Sequence, residues 1–129
     1  MRAVRLWAWR GLLTFMLGHF TVDLYSGLLP ILYALTAQRL NLDNRDIGLL
    51  ALCYTAASSL SQPLFGYVAD RWGGQLLAPL SLAWSSVFVS ALGLIDAPAL
   101  LYAGALLAGL GSGAYHPVGA SNASMLVDD

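Results

Sequence analysis

Long apolar segments separated by short polar ones dominate the chain. Between charged residues lie four such stretches, at positions 11–38, 47–69, 72–95 and 97–127, and the first of them contains a single charge at Asp23. An α-helix rises about 1.5 Å per residue, so about 20 residues cross a hydrocarbon core about 30 Å thick. Each stretch is therefore long enough to span a membrane.

Helices fit these stretches better than strands do. A chain in lipid must satisfy its own backbone hydrogen bonds, which leaves helices or closed barrels. Barrel strands alternate apolar and polar residues, whereas residues 47–57 and 76–82 do not. The pattern predicts an all-α polytopic membrane protein with four transmembrane helices at about residues 12–37, 47–69, 75–95 and 99–126. The first is expected to be a retained helix, because its apolar stretch is too long for a signal peptide. The short connections predict that successive helices are antiparallel neighbours.

The composition also indicates that lipid is the main solvent of this protein. Of the 129 residues 58% are hydrophobic and 10% are charged, with six Arg, seven Asp and a net charge of -1; ordinary soluble domains carry about 25% charged residues. These values argue against a soluble enzyme, a disordered tail and a nucleic-acid binder. The lone Cys53 cannot form an internal disulfide. With no catalytic constellation or phosphate-binding loop, we expect neither enzymatic activity nor a cofactor.

The arginines predict the orientation in the membrane. Four fall on one side of the predicted bilayer and two on the other: Arg2, Arg5, Arg10 and Arg71, against Arg39 and Arg45. An excess of basic residues marks the cytoplasmic side. We therefore expect a multi-pass membrane protein with its N-terminus in the cytoplasm.

One carboxyl group lies near the predicted centre of the bilayer. Asp23 is about 12 residues into the first helix, or about 18 Å along it, and His19 precedes it by four positions on the same helical face. A charge at this depth is costly and usually faces a cavity or a partner. We favour a proton or substrate site at His19 and Asp23 over a neutral pair that merely joins two helices.

The fourth predicted helix carries a second polar patch around Tyr115, His116 and Pro117. His116 is able to titrate near neutral pH if water reaches it, but a polar helix–helix contact explains the patch equally well. Two His and one Asp are potential metal ligands. The sequence shows no second carboxylate or helical pair of His beside them, so we predict no metal site.

The segment Gly66-Tyr-Val-Ala-Asp70-Arg71-Trp-Gly73 resembles the loop signature of the major facilitator superfamily, G-x-x-x-D-R-x-G. The matching residues are Gly66, Asp70, Arg71 and Gly73. The resemblance implies that they form a cytoplasmic gate, in which the Asp contacts the other half of the transporter. The sequence departs from the family at Gly74 and Gln75, where basic residues are usual.

A second resemblance is to the fosmidomycin-resistance branch of that superfamily. It rests on the stretch from His19 through Asp23 to Pro30 and on Ala114-Tyr-His-Pro-Val-Gly119. Members are proton-driven drug exporters with two six-helix halves, in which helices one and four line the cavity. They lie in the inner membrane, so the resemblance implies an inner or plasma membrane location. The resemblance implies that the protein transports a small molecule and that protons are the coupling ion. It also implies that residues 1–129 form part of an N-terminal transmembrane domain, which works together with the remaining helices. It implies that His19, Asp23, Tyr115 and His116 line the pathway.

Two alternatives remain open at this point. The length and helix count also fit a complete four-helix multidrug exporter acting as a dimer, although such proteins carry a Glu in helix one and lack the segment from Gly66 to Gly73. The other alternative is a membrane assembly factor or structural subunit that transports nothing.

Overall fold

The computed structural model describes residues 2–125 and, within them, the side chains of residues 9–123. Four α-helices account for nearly all of this part of the chain, and it contains no strand. The helices are α1 (Arg2–Leu40), α2 (Asn44–Trp72), α3 (Leu77–Leu92) and α4 (Pro98–Met125). The predicted all-α class and the number of helices are confirmed.

The helix ends differ from the expected bounds in informative ways. α1 begins at Arg2 rather than near residue 12, because no Gly or Pro interrupts its first nine residues. α3 covers 16 residues, a rise of about 24 Å. Among the described helices, only Trp9–Leu40 is both long and apolar enough to cross a membrane by composition, and α3 is apolar but shorter.

α2 has well-defined ends. The Asp43 side chain accepts a hydrogen bond from the backbone N–H of Asp46 (2.9 Å), and the Asp46 side chain accepts one from the N–H of Asp43 (3.1 Å). This reciprocal capping box satisfies two backbone donors that a helix start otherwise leaves free. At the other end Gly73 adopts φ +85° and donates its N–H to the Ala69 carbonyl at 2.8 Å. Glycine suits that left-handed conformation because it has no Cβ.

α4 lies at the centre of the arrangement and packs against each of the other three helices. Its glycines make this possible, since a Cβ on Gly109 or Gly113 would strike the α2 backbone at Tyr54 or Ser58. The expectation that all successive helices are neighbours is wrong for α2 and α3, which make little contact because α4 lies between them. The short connection at residues 73–76 permits neighbours but does not require them.

Polar contacts tie the helices together at the end formed by residues 41–43 and 93–97. The Arg39 guanidinium donates to the carbonyls of Gly93 (2.9 Å) and Ile95 (2.7 Å) and lies 3.5 Å from the Asp96 carboxylate. The Tyr102 hydroxyl donates to the Asp46 carboxylate at 2.7 Å. That hydrogen bond is the main reason that the pKa of Asp46 lies below its usual value of 3.8.

Replacing Tyr102 with Phe tests this link. The change should raise the pKa of Asp46, because the hydrogen bond that favours its charged form is lost. A carboxylate whose pKa is lower in the folded than in the unfolded protein stabilises the fold at pH values above its unfolded-state pKa. This stabilisation is lost as the pH falls through the folded-state pKa. We expect Tyr102→Phe to lower the melting temperature of the full-length protein at neutral pH, by an amount that shrinks below pH 3.8.

The control for this experiment is Tyr67→Phe, which removes an exposed hydroxyl from the other end of α2. It should leave the melting temperature unchanged throughout. If Tyr102→Phe lowered the melting temperature by the same amount at neutral pH and below pH 3.8, the hydrogen bond from Tyr102 would not be the cause of the lowered Asp46 pKa.

Candidate functional site

Three titratable side chains meet where α1 and α4 cross. His19 and Asp23 stand one turn apart on α1, and α4 brings His116 against them. The Nε2 atom of His19 lies 3.4 Å from one Asp23 carboxylate oxygen, and the Nε2 atom of His116 lies 3.9 Å from the other. The two imidazole rings touch edge to face, with centroids 4.9 Å apart. One carboxyl group is therefore shared between two imidazoles from different helices.

The site is open at the surface of the described helices. The side chains of His19 and Asp23 are 47% and 55% exposed, and that of His116 is 26% exposed. The four helices therefore leave about half of the His19 and Asp23 side chains uncovered. The arrangement is able to hold a proton or a cation, since a carboxylate oxygen and an imidazole nitrogen both accept either one.

Tyr115 stands beside the cluster but is buried. Its hydroxyl donates to the Phe15 carbonyl of α1 at 2.9 Å, and its ring centroid lies 6.3 Å from that of His19. The ring fits only because residue 18 is glycine, since a Cβ there would strike the Tyr115 hydroxyl. Tyr115 thus fixes the distance between α1 and α4 and holds the next residue, His116, at the carboxylate.

A second polar contact beside the site was not anticipated from the sequence. The hydroxyl groups of Ser26 and Tyr54 are 2.7 Å apart and join α1 to α2 less than one turn beyond Asp23. Ser26 lies in the stretch from His19 to Pro30, which carries the resemblance described for α1. Nothing in the local sequence of α2, however, shows that Tyr54 faces it.

The four loop-motif residues occupy the C-terminal end of α2 and the turn after it, apart from the carboxylate cluster. Asp70 and Arg71 are exposed, and neither forms a hydrogen bond or ion pair with the side chains described here. Gly66 faces α4, where a Cβ would come within 3.8 Å of the Pro117 ring. Gly73 ends the helix. The motif therefore has its charged residues, Asp70 and Arg71, at the surface. Its two glycines lie at the contact with α4 and at the turn.

The turn after α2 is anchored on α4 by a residue that sequence analysis missed. The buried Asn122 donates its side-chain amide to the Gly74 carbonyl at 3.2 Å. A Cβ on Gly74 would lie 2.9 Å from the Val118 side chain. This close approach accounts for the glycine found where the family usually has a basic residue.

A separate cavity of about 330 Å³ lies between α2, α3 and α4. Its walls are almost entirely apolar, and it contains no titratable group. The main lining residues are Phe65, Leu77, Leu80, Trp84, Leu110 and Ala114. The cavity does not include the carboxylate cluster.

Comparison with known proteins settles the family. The family model described as "Major Facilitator Superfamily" matches residues 12–129, which include the carboxylate cluster and the loop motif. The chain belongs to the major facilitator superfamily. The family to which the sequence resemblance pointed is thereby confirmed. The match favours this interpretation over a four-helix multidrug exporter and over a structural subunit.

Two curated relatives share 27–29% identity with the chain. It is 29% identical over 101 residues to "Fosmidomycin resistance protein" of Escherichia coli (strain K12), an alignment that covers 78% of this chain and 25% of that protein. It is 27% identical over 109 residues to "Uncharacterized MFS-type transporter YfnC" of Bacillus subtilis (strain 168), covering 83% and 26%. The chain thus spans about a quarter of the length of these relatives. No solved structure matches it.

The contact between the loop and α4 leads to a paired prediction. Gly74→Arg should lower the free energy of unfolding by about 1–3 kcal/mol, because its Cβ has no room beside Val118. Gln75→Arg adds the same charge one residue later at an exposed position and should have little effect. Unfolding of the full-length protein in detergent measures both variants. Equal stability of the two would contradict the packing described at this turn.

Proposed function

We propose that the full-length protein is a secondary transporter that exports a small organic molecule in exchange for protons. Membership of the major facilitator superfamily supports transport. The word resistance in the name of the Escherichia coli relative supports export of a drug-like compound. The observation that carries the proposal is the carboxylate of Asp23 between two imidazoles from α1 and α4.

The proton would be exchanged at this cluster. Asp23 or His116 would exchange the proton, because the Asp23 carboxylate is more than half exposed and His116 contacts it from the other helix. His19 tunes Asp23 or touches the substrate, as its Nε2 atom lies against the same carboxylate. Tyr115 acts by positioning His116, since it is buried in the interface of α1 and α4.

The loop motif would act as the cytoplasmic gate. Asp70 and Arg71 are exposed and without partners among the side chains described here, so they are available to parts of the protein outside this chain. The arginine distribution supports a cytoplasmic N-terminus, which places the turn at residues 73–76 on the cytoplasmic side after two membrane crossings. We infer that all four helices cross the inner or plasma membrane.

Transport by the purified full-length protein in liposomes tests the proposal. Addition of fosmidomycin, the compound in the name of the relative, should move protons across the membrane, as reported by an internal pH-sensitive dye. Asp23→Asn and His116→Ala should each reduce this proton movement to the level of empty liposomes.

Asp43→Asn is the matched control, since it also removes a carboxylate but keeps a residue that caps a helix. It should retain transport. Unchanged proton coupling and uptake in both Asp23→Asn and His116→Ala would overturn the assignment of the site. Transport of fosmidomycin by the wild type without proton movement would overturn the proposed proton coupling but not the proposed transport.

A further inference from the structure

The cluster at the crossing of α1 and α4 has the composition and the dimensions of a metal-binding site. One nitrogen each from His19 and His116 and one carboxylate oxygen of Asp23 all lie within 4.8 Å of one another. The sequence alone led us to expect no metal site, because it does not show that His116 contacts Asp23. From this contact we propose that these three residues bind a divalent transition-metal ion of the Zn²⁺ type between the two helices. This inference concerns ion binding alone and does not depend on the proposed transport.

The distances are close to those that a bound ion requires. Zn²⁺ binds imidazole nitrogen and carboxylate oxygen at about 2.0–2.2 Å in tetrahedral geometry, so two of its ligand atoms are about 3.4 Å apart. The two contacts of Asp23 measure 3.4 Å and 3.9 Å. The third pair, the two imidazole nitrogens, lies within 4.8 Å. Side-chain rotations that shorten this distance and the 3.9 Å contact would bring all three groups onto one ion.

The spacing along α1 favours a shared ion as well. Residues four apart on a helix lie on one face, so His19 and Asp23 are able to approach one ion together. Two His at the same spacing do so in the zinc sites of H-E-x-x-H helices. His116 then supplies the third ligand from α4. The buried Tyr115 beside it fixes the approach of the two helices through its hydrogen bond to the Phe15 carbonyl. Two ligands are thus held by one helix and the third by a constrained contact.

The ligand chemistry selects the class of ion. Imidazole suits Zn²⁺, Co²⁺, Ni²⁺ and Cu²⁺, whereas Mg²⁺ and Ca²⁺ prefer oxygen ligands throughout. The His19 and Asp23 side chains are about half exposed, so the four described helices leave space for an ion beside them. Water can complete the coordination, as it does in zinc sites with three protein ligands.

Titration with Co²⁺ tests the proposal directly, because Co²⁺ bound to nitrogen ligands absorbs visible light. The metal-free full-length protein in detergent should show a saturable Co²⁺ spectrum that Zn²⁺ abolishes. His19→Gln and His116→Gln should each weaken Co²⁺ binding by at least about tenfold, since even loss of a group that only orients a metal ligand costs about 10–100-fold. Asp43→Asn should bind as the wild type does.

Two histidine variants are tested, so that one of them remains informative if the other does not fold. Each is compared only if its size-exclusion profile and helical content match the wild type. A wild type without a saturable spectrum, or histidine variants that bind Co²⁺ as tightly as the wild type, would overturn the metal site. Neither result would affect the transport proposal, whose readout is proton movement in liposomes.

Discussion

The close approach of α4 to its three neighbours is the constraint on which the rest of the structure depends. A helix can occupy a central position only if its side chains leave room on several faces, and α4 meets this requirement with glycines and alanines. Gly109 and Gly113 lie directly against the backbone of α2, an arrangement typical of helix pairs in membranes. With α4 fixed there, Tyr115 reaches α1 at Gly18, and His116 comes to the Asp23 carboxylate.

The sequence predicted those features that depend on local spacing. Charge-free stretches indicated the four helices, and the i, i+4 relation placed His19 beside Asp23. The contact of His116 with Asp23 could not be predicted, because it depends on how α4 is rotated and on which helices it meets. The order of packing was mispredicted for the same reason, since a short connection limits the distance between two helix ends but not the neighbour of each helix. The tight fit of Gly74 against α4 is likewise a tertiary property.

The electrostatic character of the site follows from sharing one carboxyl group between two imidazoles. A carboxylate within a membrane-spanning helix usually faces a cavity or a partner. Asp23 has a nitrogen on each side, one from its own helix and one from α4. Because these nitrogens come from two helices, any movement that separates the helices changes the environment of Asp23. Protons and metal ions use the same lone pairs on these groups. The contact between α1 and α4 is therefore central to both proposals made for this site.

The proximity of α1 and α4 at residues 19 and 116 is the most direct test of this account. Cysteines placed at these two positions, in a full-length protein lacking other cysteines, should be joined by a short bifunctional thiol reagent, since the native rings are 4.9 Å apart. A pair at positions 39 and 96, where the native side chains are 3.5 Å apart, serves as the positive control. Efficient cross-linking of both pairs is the predicted result. Cross-linking of 39 to 96 without any of 19 to 116 would contradict the account.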